Sequence, residues 1–465
     1  MPGPRIVVVG GGISGLAAAF RVRTRLPEAE VMVLEASPEV GGKLRLGSVG
    51  GVTVDVGAEA MLARRPEGVA LVRELGLHDE MIAPLTTLAQ VRAGGAAHPL
   101  PARTMMGIPA DVDAARASGV LSEHALGRIA AEPDMDALPQ LEDDVAVGAL
   151  VRSRLGNEVA DRLVEPLLGG IYAGRADDLS LCATMPALAG RLRRTGGSLV
   201  RAAQAVTDVG THDPAPGPMF ASLRRGLGTI PQRLAAWDAI TVRTSTTVRA
   251  IRRTPTGFAL DCGPASEAEL VEADAVIVAT PAAKAALLLR DVAPAAAAEL
   301  HGVESASVAI TTLAFRDVRL PAGSGLLVGA NEGFGVKAVT LSSQKWPLET
   351  GGLTLLRASV GRAGENHLLQ RGDDDLIAVV RHELRALIGV DTEPVDALVT
   401  RWGGGLPQYA VGHVDMVARV RAAVAAVPGL GVCGAAYDGV GIPACIASAQ
   451  GAADQVLASL RARGE

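Results

Sequence analysis

Aromatic residues are scarce in this sequence: five Phe, three Trp and three Tyr make up 2% of 465 residues. This scarcity argues against a stacking platform for single-stranded nucleic acid, because such platforms depend on aromatic side chains. Basic residues are also too few for a general nucleic-acid binder, since 44 Lys and Arg stand against 50 Asp and Glu, a net charge of −6. We therefore expect no nucleic-acid partner.

Cysteine and histidine do not occur in the patterns that bind metals. The cysteines (Cys182, Cys262, Cys433 and Cys445) form no CxxC pair, and the eight histidines form no HxH or HExxH motif. We therefore expect no metal site and interpret the cysteines as reduced thiols of the core.

Long apolar runs are absent as well. No stretch of eighteen or more uninterrupted apolar residues occurs, which argues against a membrane-spanning helix. The apolar segment from Ile6 to Phe20 is interrupted by three glycines, so it indicates a strand, a turn and a helix rather than a signal peptide. A cytoplasmic protein is the resulting expectation. Hydrophobic residues reach 49%, so the chain can bury a large core, and its length suggests two or three domains.

The N-terminal segment has the pattern of a βαβ unit. Arg5–Val9 is an apolar, β-branched run typical of a strand buried on both faces, and Leu16–Arg25 is an Ala-rich helix that ends before Pro27. Glu30–Glu35 follows as the second strand. Because a Gly-rich turn connects the first strand to the helix, this unit predicts a dinucleotide-binding fold.

The glycine spacing and one acidic residue specify what this unit binds. Gly10 permits the tight turn, Gly12 lets the backbone approach a pyrophosphate, and Gly15 lets helix and strand pack closely. The pyrophosphate is expected at the helix N-terminus. The Glu35 carboxylate accepts hydrogen bonds from ribose hydroxyls and repels a 2′-phosphate, which disfavours NADP. These residues alone leave FAD and NAD open.

The rest of the chain mixes strands and helices. We predict a helix whose first turn contains Asp143 and Asp144 and which Gly156 terminates, and a loop from Asp208 to Pro218. Further helices are predicted at Pro66–Leu75, Asp375–Ile388 and Cys445–Arg461, and strands at Val52–Val56, Thr241–Ile251, Gly257–Asp261, Ala275–Ala279, Ser307–Phe315, Leu353–Val360, Val395–Trp402 and Gly431–Cys433.

A second glycine turn distinguishes between the two cofactors. Gly41-Gly42-Lys43 resembles the double-glycine motif of FAD-dependent amine oxidases, carotene desaturases and porphyrinogen oxidases. In that resemblance Gly57-Ala58-Glu59-Ala60 lies near the isoalloxazine ring, and the Gly-rich segment 434–442 precedes a helix whose N-terminus stabilises negative charge on the reduced ring. FAD is therefore the implied cofactor.

Four separated segments together resemble the porphyrinogen oxidase family, so that the resemblance covers essentially the whole chain. They are Val164–Gly174, Phe220–Pro231, Leu406–Tyr409 with Gly412-His413, and Gly439–Ile446. The stretch His98–Pro109 is most similar to the Gram-positive branch, which acts on coproporphyrinogen III. Eukaryotic members carry an arginine that contacts a substrate propionate at the position of Ala89, and this departure argues against the protoporphyrinogen-type contact.

The resemblance implies a six-electron oxidation of coproporphyrinogen III to coproporphyrin III in haem biosynthesis, with dioxygen as acceptor and hydrogen peroxide as by-product. The alternatives are a protoporphyrinogen IX oxidase, a non-catalytic flavin- or porphyrin-binding carrier, and an oxidase of the same fold that acts on an amine or a polyene. No nucleophile, triad or carboxylate dyad is evident, so the catalytic residues stay unassigned. Partners would be the porphyrinogen, dioxygen and, transiently, a downstream haem-pathway enzyme.

The implied fold class is α/β, with a Rossmann-type FAD-binding domain, a mixed-sheet substrate domain and a helical lobe. We expect the FAD-binding domain to comprise residues 1–60, 218–282 and 425–465, the substrate domain 61–85, 172–217 and 283–424, and the helical lobe 86–171. The acidity of that lobe (Asp111, Asp113, Glu123, Glu132, Asp134, Asp136, Glu142, Asp143 and Asp144) argues against docking on anionic lipid.

The resemblance also names candidate binding residues. Those for the cofactor are Gly10, Gly11, Gly12, Ile13, Ser14, Gly15, Glu35, Ala36, Gly42, Lys43, Gly57, Ala58, Glu59, Ala60, Val248, Trp402, Ala435, Val440, Gly441 and Ile442. Because coproporphyrinogen III carries four propionates, we also expect cations in the pocket, and the arginines near the substrate-domain motifs are the candidates: Arg64, Arg65, Arg92, Arg103 and Arg175.

Overall fold

The computed structural model describes residues 3–136, 143–212 and 217–464. Its strands are distributed along the whole of this part of the chain. They are β1 Arg5–Val9, β2 Glu30–Leu34, β3 Leu46–Val49, β4 Val52–Asp55, β5 Met61–Leu62, β6 Met81–Ile82, β7 Ala89–Ala93, β8 Ala96–Pro99, β9 Thr104–Met105, β10 Ile108–Pro109, β11 Phe220–Leu223, β12 Thr241–Arg243, β13 Val248–Arg253, β14 Phe258–Cys262, β15 Glu269–Ala273, β16 Ala275–Val278, β17 Ser305–Phe315, β18 Gly325–Val328, β19 Val336–Thr340, β20 Thr354–Val360, β21 Asp396–Pro407 and β22 Leu430–Val432.

The helices cover the faces of the sheets and form a separate cluster between residues 112 and 212. They are α1 Ile13–Arg25, α2 Pro66–Glu74, α3 Val112–Ser118, α4 Glu123–Ala131, α5 Val147–Leu155, α6 Asn157–Val159, α7 Glu165–Tyr172, α8 Leu181–Thr184, α9 Pro186–Leu192, α10 Leu199–His212, α11 Thr229–Ala235, α12 Ala282–Leu289, α13 Pro294–His301, α14 Ser342–Lys345, α15 Asp373–Ile388, α16 His413–Ala425 and α17 Ile442–Gly464. Within the ranges described, no helix is both long enough and apolar enough to cross a bilayer.

A parallel five-stranded sheet of order β12-β2-β1-β16-β22 carries the N-terminal unit. Side chains of β1 alternate between two cores: Ile6 and Val8 pack with α1 and α17, whereas Val7 and Val9 pack with α12, α13 and α16. Burial on both faces explains the uninterrupted apolar run of this strand.

The predicted single strand Thr241–Ile251 is wrong, because the structure divides it into β12 and β13. Ser245 lies between them in the left-handed region at φ 49°, and the chain turns there. The backbone N–H groups of Ser245 and Thr246 donate to the carbonyls of Ser37 and Glu35. The turn therefore brings the start of β13 to the end of β2. The other strands predicted within this sheet are confirmed to within one residue at each end.

A mixed seven-stranded sheet of order β21-β17-β20-β19-β18-β7-β8 lies elsewhere in the molecule and packs against α15. Its strands β7 and β8 come from residues 89–99, a stretch within the expected helical lobe. They form a hairpin instead, because Gly94 and Gly95 adopt positive φ angles of 62° and 82°, the geometry of a two-residue hairpin turn. Ala89 pairs with Gly325 across the parallel β7–β18 ladder.

The helices α3 to α10 share one hydrophobic core. One helix start differs from the prediction. Helix α5 begins at Val147, so Asp143 and Asp144 precede the helix instead of lying in its first turn. The Asp144 carboxylate instead accepts hydrogen bonds from the Ser180 hydroxyl (2.6 Å) and the backbone N–H groups of Cys182 (3.1 Å) and Gly412 (2.9 Å). Contacts with residues far away in the chain therefore displace the helix start.

The structure also corrects the predicted loop at Asp208 and the set of exposed acidic residues in this region. The predicted loop from Asp208 is wrong up to His212, because α10 continues to that residue; residues 213–216 lie outside the described residues, as does Glu142 of the acidic set. Glu132 is fully buried and binds Arg154, so its charge does not contribute to the exposed acidity of the lobe. The exposed carboxylates include Asp113, Glu123 and Asp134.

Candidate functional site

The first glycine turn connects β1 to α1 and leaves the N-terminus of that helix open. A Cβ on Gly15 would lie 1.8 Å from the Gly10 carbonyl oxygen, so only glycine permits this approach of helix to strand. Gly12 is the N-cap residue, offers no side-chain cap to α1, and has open space where a Cβ would lie. No acidic residue occupies the first turn, which contains Ile13 and Ser14. The helix therefore presents its positive end to a ligand anion.

Glu35 lies beside this turn at the end of β2. Its Oε2 accepts a hydrogen bond from the Gly11 N–H (2.6 Å) and its Oε1 one from the Ser37 N–H (2.8 Å). Each oxygen retains a lone pair, so the carboxylate can still accept from a ligand hydroxyl. Ala36 follows at the exposed surface. Val248 begins β13, two residues after Thr246, which donates its N–H to the Glu35 carbonyl.

The second glycine turn packs directly on the first. The Gly41 N–H donates to the Gly11 carbonyl (2.7 Å), and a Cβ on Gly42 would lie 3.3 Å from the Gly12 Cα. Lys43 follows with its side chain largely desolvated, and burial lowers the pKa of its ammonium group. Among the described residues Lys43 forms no ion pair, so a carboxylate of the chain does not neutralise it.

The third segment, Gly57 to Ala60, packs on the second. The Ala58 N–H donates to the Lys43 carbonyl (3.1 Å), and a Cβ on Gly57 would lie 1.9 Å from the same oxygen. Trp402 on β21 closes this segment from the other side, because its Nε1 donates to the Val56 carbonyl (3.1 Å). The structure thus joins the three turns and Trp402 in one layered contact.

The Glu59 side chain is surrounded by protein donors. Its Oε1 accepts from Lys345 Nζ (2.9 Å) and Trp346 Nε1 (3.2 Å), and its Oε2 accepts from Arg357 Nη1 (2.8 Å) and the Ser342 hydroxyl (3.4 Å). Although burial alone would raise it, the two cations hold the pKa of this carboxyl at about 2. With its oxygens engaged in this way, the Glu59 carboxylate has little remaining capacity to accept hydrogen bonds from a ligand.

The C-terminal segment brings a second helix start to the same place. Helix α17 begins at Ile442 and packs along α1, and its Cys445 thiol is within hydrogen-bonding reach of Ser14. The segment before it, which includes Val440 and Gly441, lies against that thiol. The Ala435 carbonyl accepts a hydrogen bond from the Tyr409 hydroxyl (2.5 Å), which ties this segment to the end of β21.

Sequence reasoning missed Thr280, which follows β16 beside the first turn. Its hydroxyl is buried without a partner in the described residues, and its Cγ2 would lie 3.5 Å from a Cβ on Gly10. Ligands of open parallel sheets bind at the carboxyl ends of the strands, and Thr280 lies at such an end. The sequence marked this position only as the end of a strand, before Pro281.

The end of α7 is held by a side chain of the seven-stranded sheet and by one that follows its last strand. Lys337 Nζ donates to the carbonyls of Gly169 (3.1 Å) and Gly170 (3.3 Å), and burial lowers its pKa to about 8. Gln408 Nε2 donates to the Tyr172 carbonyl (2.8 Å). Neither Lys337 nor Gln408 was a candidate, because their partners are far away in the sequence.

Most of the candidate arginines are paired with carboxylates rather than collected in one cluster. The pairs are Arg65 with Glu67, Arg92 with Glu332, Arg103 with Asp111 and Asp208, and Arg175 with Asp178. Arg64 is exposed and forms no ion pair in the described chain. The structure therefore gives none of them a distinct role in binding a propionate.

The donor set fits a flavin dinucleotide. The uncapped start of α1 and the desolvated Lys43 offer positive charge to a pyrophosphate, Glu35 offers acceptors to a ribose, and the Thr280 hydroxyl lacks a partner. A Cβ on Gly10 or Gly15 would collide with backbone atoms, and a Cβ on Gly12 would fill the open space in front of α1. These features indicate an elongated anionic ligand that lies against backbone groups.

Comparison with known proteins also indicates a flavin-dependent protein. The model of the family described as flavin containing amine oxidoreductase matches residues 13–457. Coproporphyrinogen III oxidase of Mycobacterium tuberculosis is 37% identical over 458 residues, which are 98% of each chain. Coproporphyrinogen III oxidase of Bacillus subtilis is 32% identical over 468 residues, again 98% of each chain.

A solved structure supports the similarity at the level of the fold and the sequence. A protein from Exiguobacterium, provisionally assigned as a protoporphyrinogen oxidase, superposes with a TM-score of 0.86 at 33% identity. The match covers 99% of this chain and 100% of that one.

Proposed function

The chain belongs to the family of flavin-containing amine oxidoreductases, and from this we propose that it oxidises coproporphyrinogen III to coproporphyrin III with FAD as its cofactor. The observation that carries the proposal is the full-length similarity to coproporphyrinogen III oxidases, at 37% identity over 98% of the chain. The overall reaction converts one porphyrinogen and three dioxygen molecules into one porphyrin and three hydrogen peroxide molecules. It is a step of haem biosynthesis.

FAD supplies the redox chemistry when it is bound, since its flavin ring accepts hydride from carbon and returns the electrons to dioxygen. The chain's own residues bind and orient. We propose that the start of α1 and Lys43 hold the pyrophosphate and that Glu35 holds the adenosine ribose. We further propose that the segments 57–60 and 435–442 lie against the flavin. We assign no residue as an acid or base.

Two alternatives to this proposal stay open, and one of them has a specific observation in its favour. The Exiguobacterium protein is assigned as a protoporphyrinogen oxidase, which favours protoporphyrinogen IX as the second candidate substrate. A carrier that binds flavin or porphyrin without turnover would use the same turns. An amine oxidase is disfavoured by the low content of aromatic residues, 2%, because such sites are flanked by aromatic rings.

The deciding experiment is fluorescence-monitored oxidation of coproporphyrinogen III and of protoporphyrinogen IX by the purified holoenzyme, with aerobic controls that lack enzyme. We expect a higher kcat/KM for coproporphyrinogen III. A higher value for protoporphyrinogen IX would keep the chemistry and overturn the substrate. FAD absorbance without turnover of either would favour the carrier.

We also propose that the protein works in the cytoplasm without stable membrane attachment and contacts a downstream haem-pathway enzyme only transiently. The exposed carboxylates Asp113, Glu123 and Asp134 support this, because anionic lipid repels them. Recovery of most of the protein in the membrane pellet after cell fractionation would contradict it.

A further inference from the structure

A compact group of charged side chains lies directly behind the third turn of the candidate site. We call Glu59, Lys345, Trp346 and Arg357 the Glu59 cluster. Arg357 spans it, because Nη1 donates to Glu59 Oε2 and Nη2 donates to the Gly57 carbonyl (2.5 Å). The side chain of Arg357 is only 9% exposed, that of Glu59 15% and that of Lys345 20%.

The charges of this cluster do not cancel. One carboxylate, Glu59, contacts two cations, Lys345 and Arg357, so the cluster has one net positive charge. Asp55, which is not counted in this charge, acts electrostatically on Arg357 and Glu59, and its carboxylate accepts hydrogen bonds from the backbone N–H groups of Leu227 (2.9 Å) and Gly228 (3.0 Å). A net charge in a desolvated site is costly unless an electron-rich group compensates for it.

Arg357 also has an unsatisfied donor. Its Nε is buried and lacks a hydrogen-bond partner within the described residues. Buried guanidinium N–H groups are rarely left unpaired, and the cost of doing so is substantial. The unpaired donor therefore indicates that an electron-rich group completes this place, beside the two cations of the cluster.

The cluster holds the segment that we assign to the flavin. Gly57 is fixed between the Lys43 carbonyl, the Trp402 ring and Arg357, so a change at Arg357 acts on the turn itself. Strand β20 and helix α14 supply the cations, and both belong to the seven-stranded sheet region rather than to the parallel sheet. The cluster therefore connects the two sheets at the flavin.

We propose that the charges of Glu59, Lys345 and Arg357 set the reduction potential of the bound flavin and that Arg357 positions the Gly57 turn. This rests on the proposed function only in that FAD binds at this turn. Reduction of the flavin takes up two electrons, so a fixed positive charge beside the ring favours the reduced form. Lys345 and Arg357 are thus tuning and positioning residues of the flavin.

The test is the midpoint potential of the flavin in the holoenzyme, measured at pH 8 without porphyrinogen. At this pH Asp55, whose pKa burial raises to about 6, is ionised, and it adds the same negative charge in every variant, so it cancels in the differences between them. We expect Lys345→Met to shift the reduced-to-oxidised equilibrium at least tenfold towards the oxidised form, about 30 mV lower for a two-electron couple. Glu59→Gln should shift it in the opposite direction.

The double variant Glu59→Gln/Lys345→Met restores one net positive charge, and its potential should return close to that of the unmodified protein. Lys284→Met is the matched control, because Lys284 is an exposed lysine on α12, and it should leave the potential unchanged. Arg357→Lys keeps the charge but cannot span Gly57 and Glu59, so it should weaken FAD binding and leave the potential nearly unchanged.

Opposite shifts for the single variants and their cancellation in the double variant would support the proposal, since loss of packing alone would not follow the sign of the charge. If Glu59→Gln does not fold, the other two single variants still test the proposal. The midpoint potential should fall in Lys345→Met and stay nearly unchanged in Arg357→Lys. Shifts of one sign, or none, would overturn the proposal even if porphyrinogen turnover is intact. A charge-dependent potential without turnover would overturn the substrate assignment alone, and a protein that binds no FAD would overturn both.

Discussion

The glycine turns of the candidate site are held together by backbone contacts, whereas the two carboxylates Glu132 and Glu59, which we call the anchors, act through their side chains. At Gly10, Gly15 and Gly42 the backbone makes the contacts, and the missing Cβ creates the space for them. At Glu132 and Glu59 a buried carboxylate gathers donors from distant segments. The turns therefore depend on shape and the anchors on charge balance, and substitutions should separate the two.

The anchor at Glu132 offers the largest expected effect. Its carboxylate is fully buried and accepts from Arg154 Nε (2.9 Å), the Ser198 hydroxyl (2.7 Å) and the Leu199 N–H (2.9 Å). Glu132→Gln leaves the Arg154 charge buried without a counterion, which we expect to cost about 3–5 kcal/mol of unfolding free energy. Urea denaturation followed by circular dichroism measures this loss.

The control for this substitution is Glu123→Gln, which removes an exposed carboxylate from the start of α4. It should change the unfolding free energy by less than about 0.5 kcal/mol. FAD should still bind to the folded fraction of both variants, because the glycine turns are unchanged. An equal loss in the two variants would show that burial of the pair contributes nothing.

The turn at Gly15 should show the second-largest effect and a different kind of damage. Gly15→Ala places a methyl group 1.8 Å from the Gly10 carbonyl oxygen, so β1 and α1 must separate. We expect a loss of about 3 kcal/mol in stability and of FAD absorbance in the purified protein. Gly127→Ala is the matched control within α4, where a Cβ meets open space, and it should stabilise by about 0.5–1 kcal/mol. Retention of full FAD content by Gly15→Ala would contradict the close approach.

The sequence predicted the turns much better than the anchors. The unit from Arg5 to Leu34 was predicted within a few residues, because strand, turn and helix signals are all local there. Arg357 and Glu59 are 298 residues apart, and Asp144 and Gly412 are 268 residues apart. A single sequence contains no pattern that pairs such residues, so Asp144 was assigned to a helix by its local context.

The division of the predicted strand at Ser245 has the same cause. The residues from Thr241 to Ile251 have the composition of one strand, but the hydrogen bonds of Ser245 and Thr246 to Ser37 and Glu35 turn the chain. Thr280 was missed for a related reason, since an unsatisfied hydroxyl is visible only after its neighbours are placed. Local propensity thus gives the elements, and tertiary contacts decide their ends.

His413 is a titratable residue beside Tyr409, whose hydroxyl contacts the segment before α17. His413 stacks on Tyr409 with centroids 4.0 Å apart, and burial lowers its pKa from 6.5 to about 4, against the effect of the Ala436 and Tyr437 carbonyls. The unfolded chain therefore binds the extra proton between pH 6.5 and 4, so stability falls as the pH decreases through this window.

We expect the unmodified protein to lose about 2 kcal/mol relative to His413→Phe between pH 7.5 and pH 5, as measured by urea denaturation at both values. Phenylalanine keeps the stacked ring and removes the titration. Asp55 has a raised pKa of about 6 and acts in the opposite direction, but it is present in both proteins and cancels in the difference. A constant difference between the two proteins across this range would contradict the prediction.

The smallest effect should come from one hydroxyl group that joins the two kinds of contact. Tyr409→Phe removes the donor to the Ala435 carbonyl but keeps the ring that stacks on His413, so the fold should be retained. Losing this hydrogen bond frees the segment before α17, and we expect FAD to bind about fivefold more weakly, equivalent to about 1 kcal/mol. Titration of the apoprotein with FAD, followed by flavin fluorescence, measures the change.

The control is Tyr172→Phe, which leaves the Tyr409 hydrogen bond in place although the Tyr172 ring lies 5.6 Å from that of Tyr409. It should bind FAD like the unmodified protein. If both variants bind FAD equally, the segment before α17 is held by its own turn at Gly434, and the contact with Tyr409 serves only to pack the core.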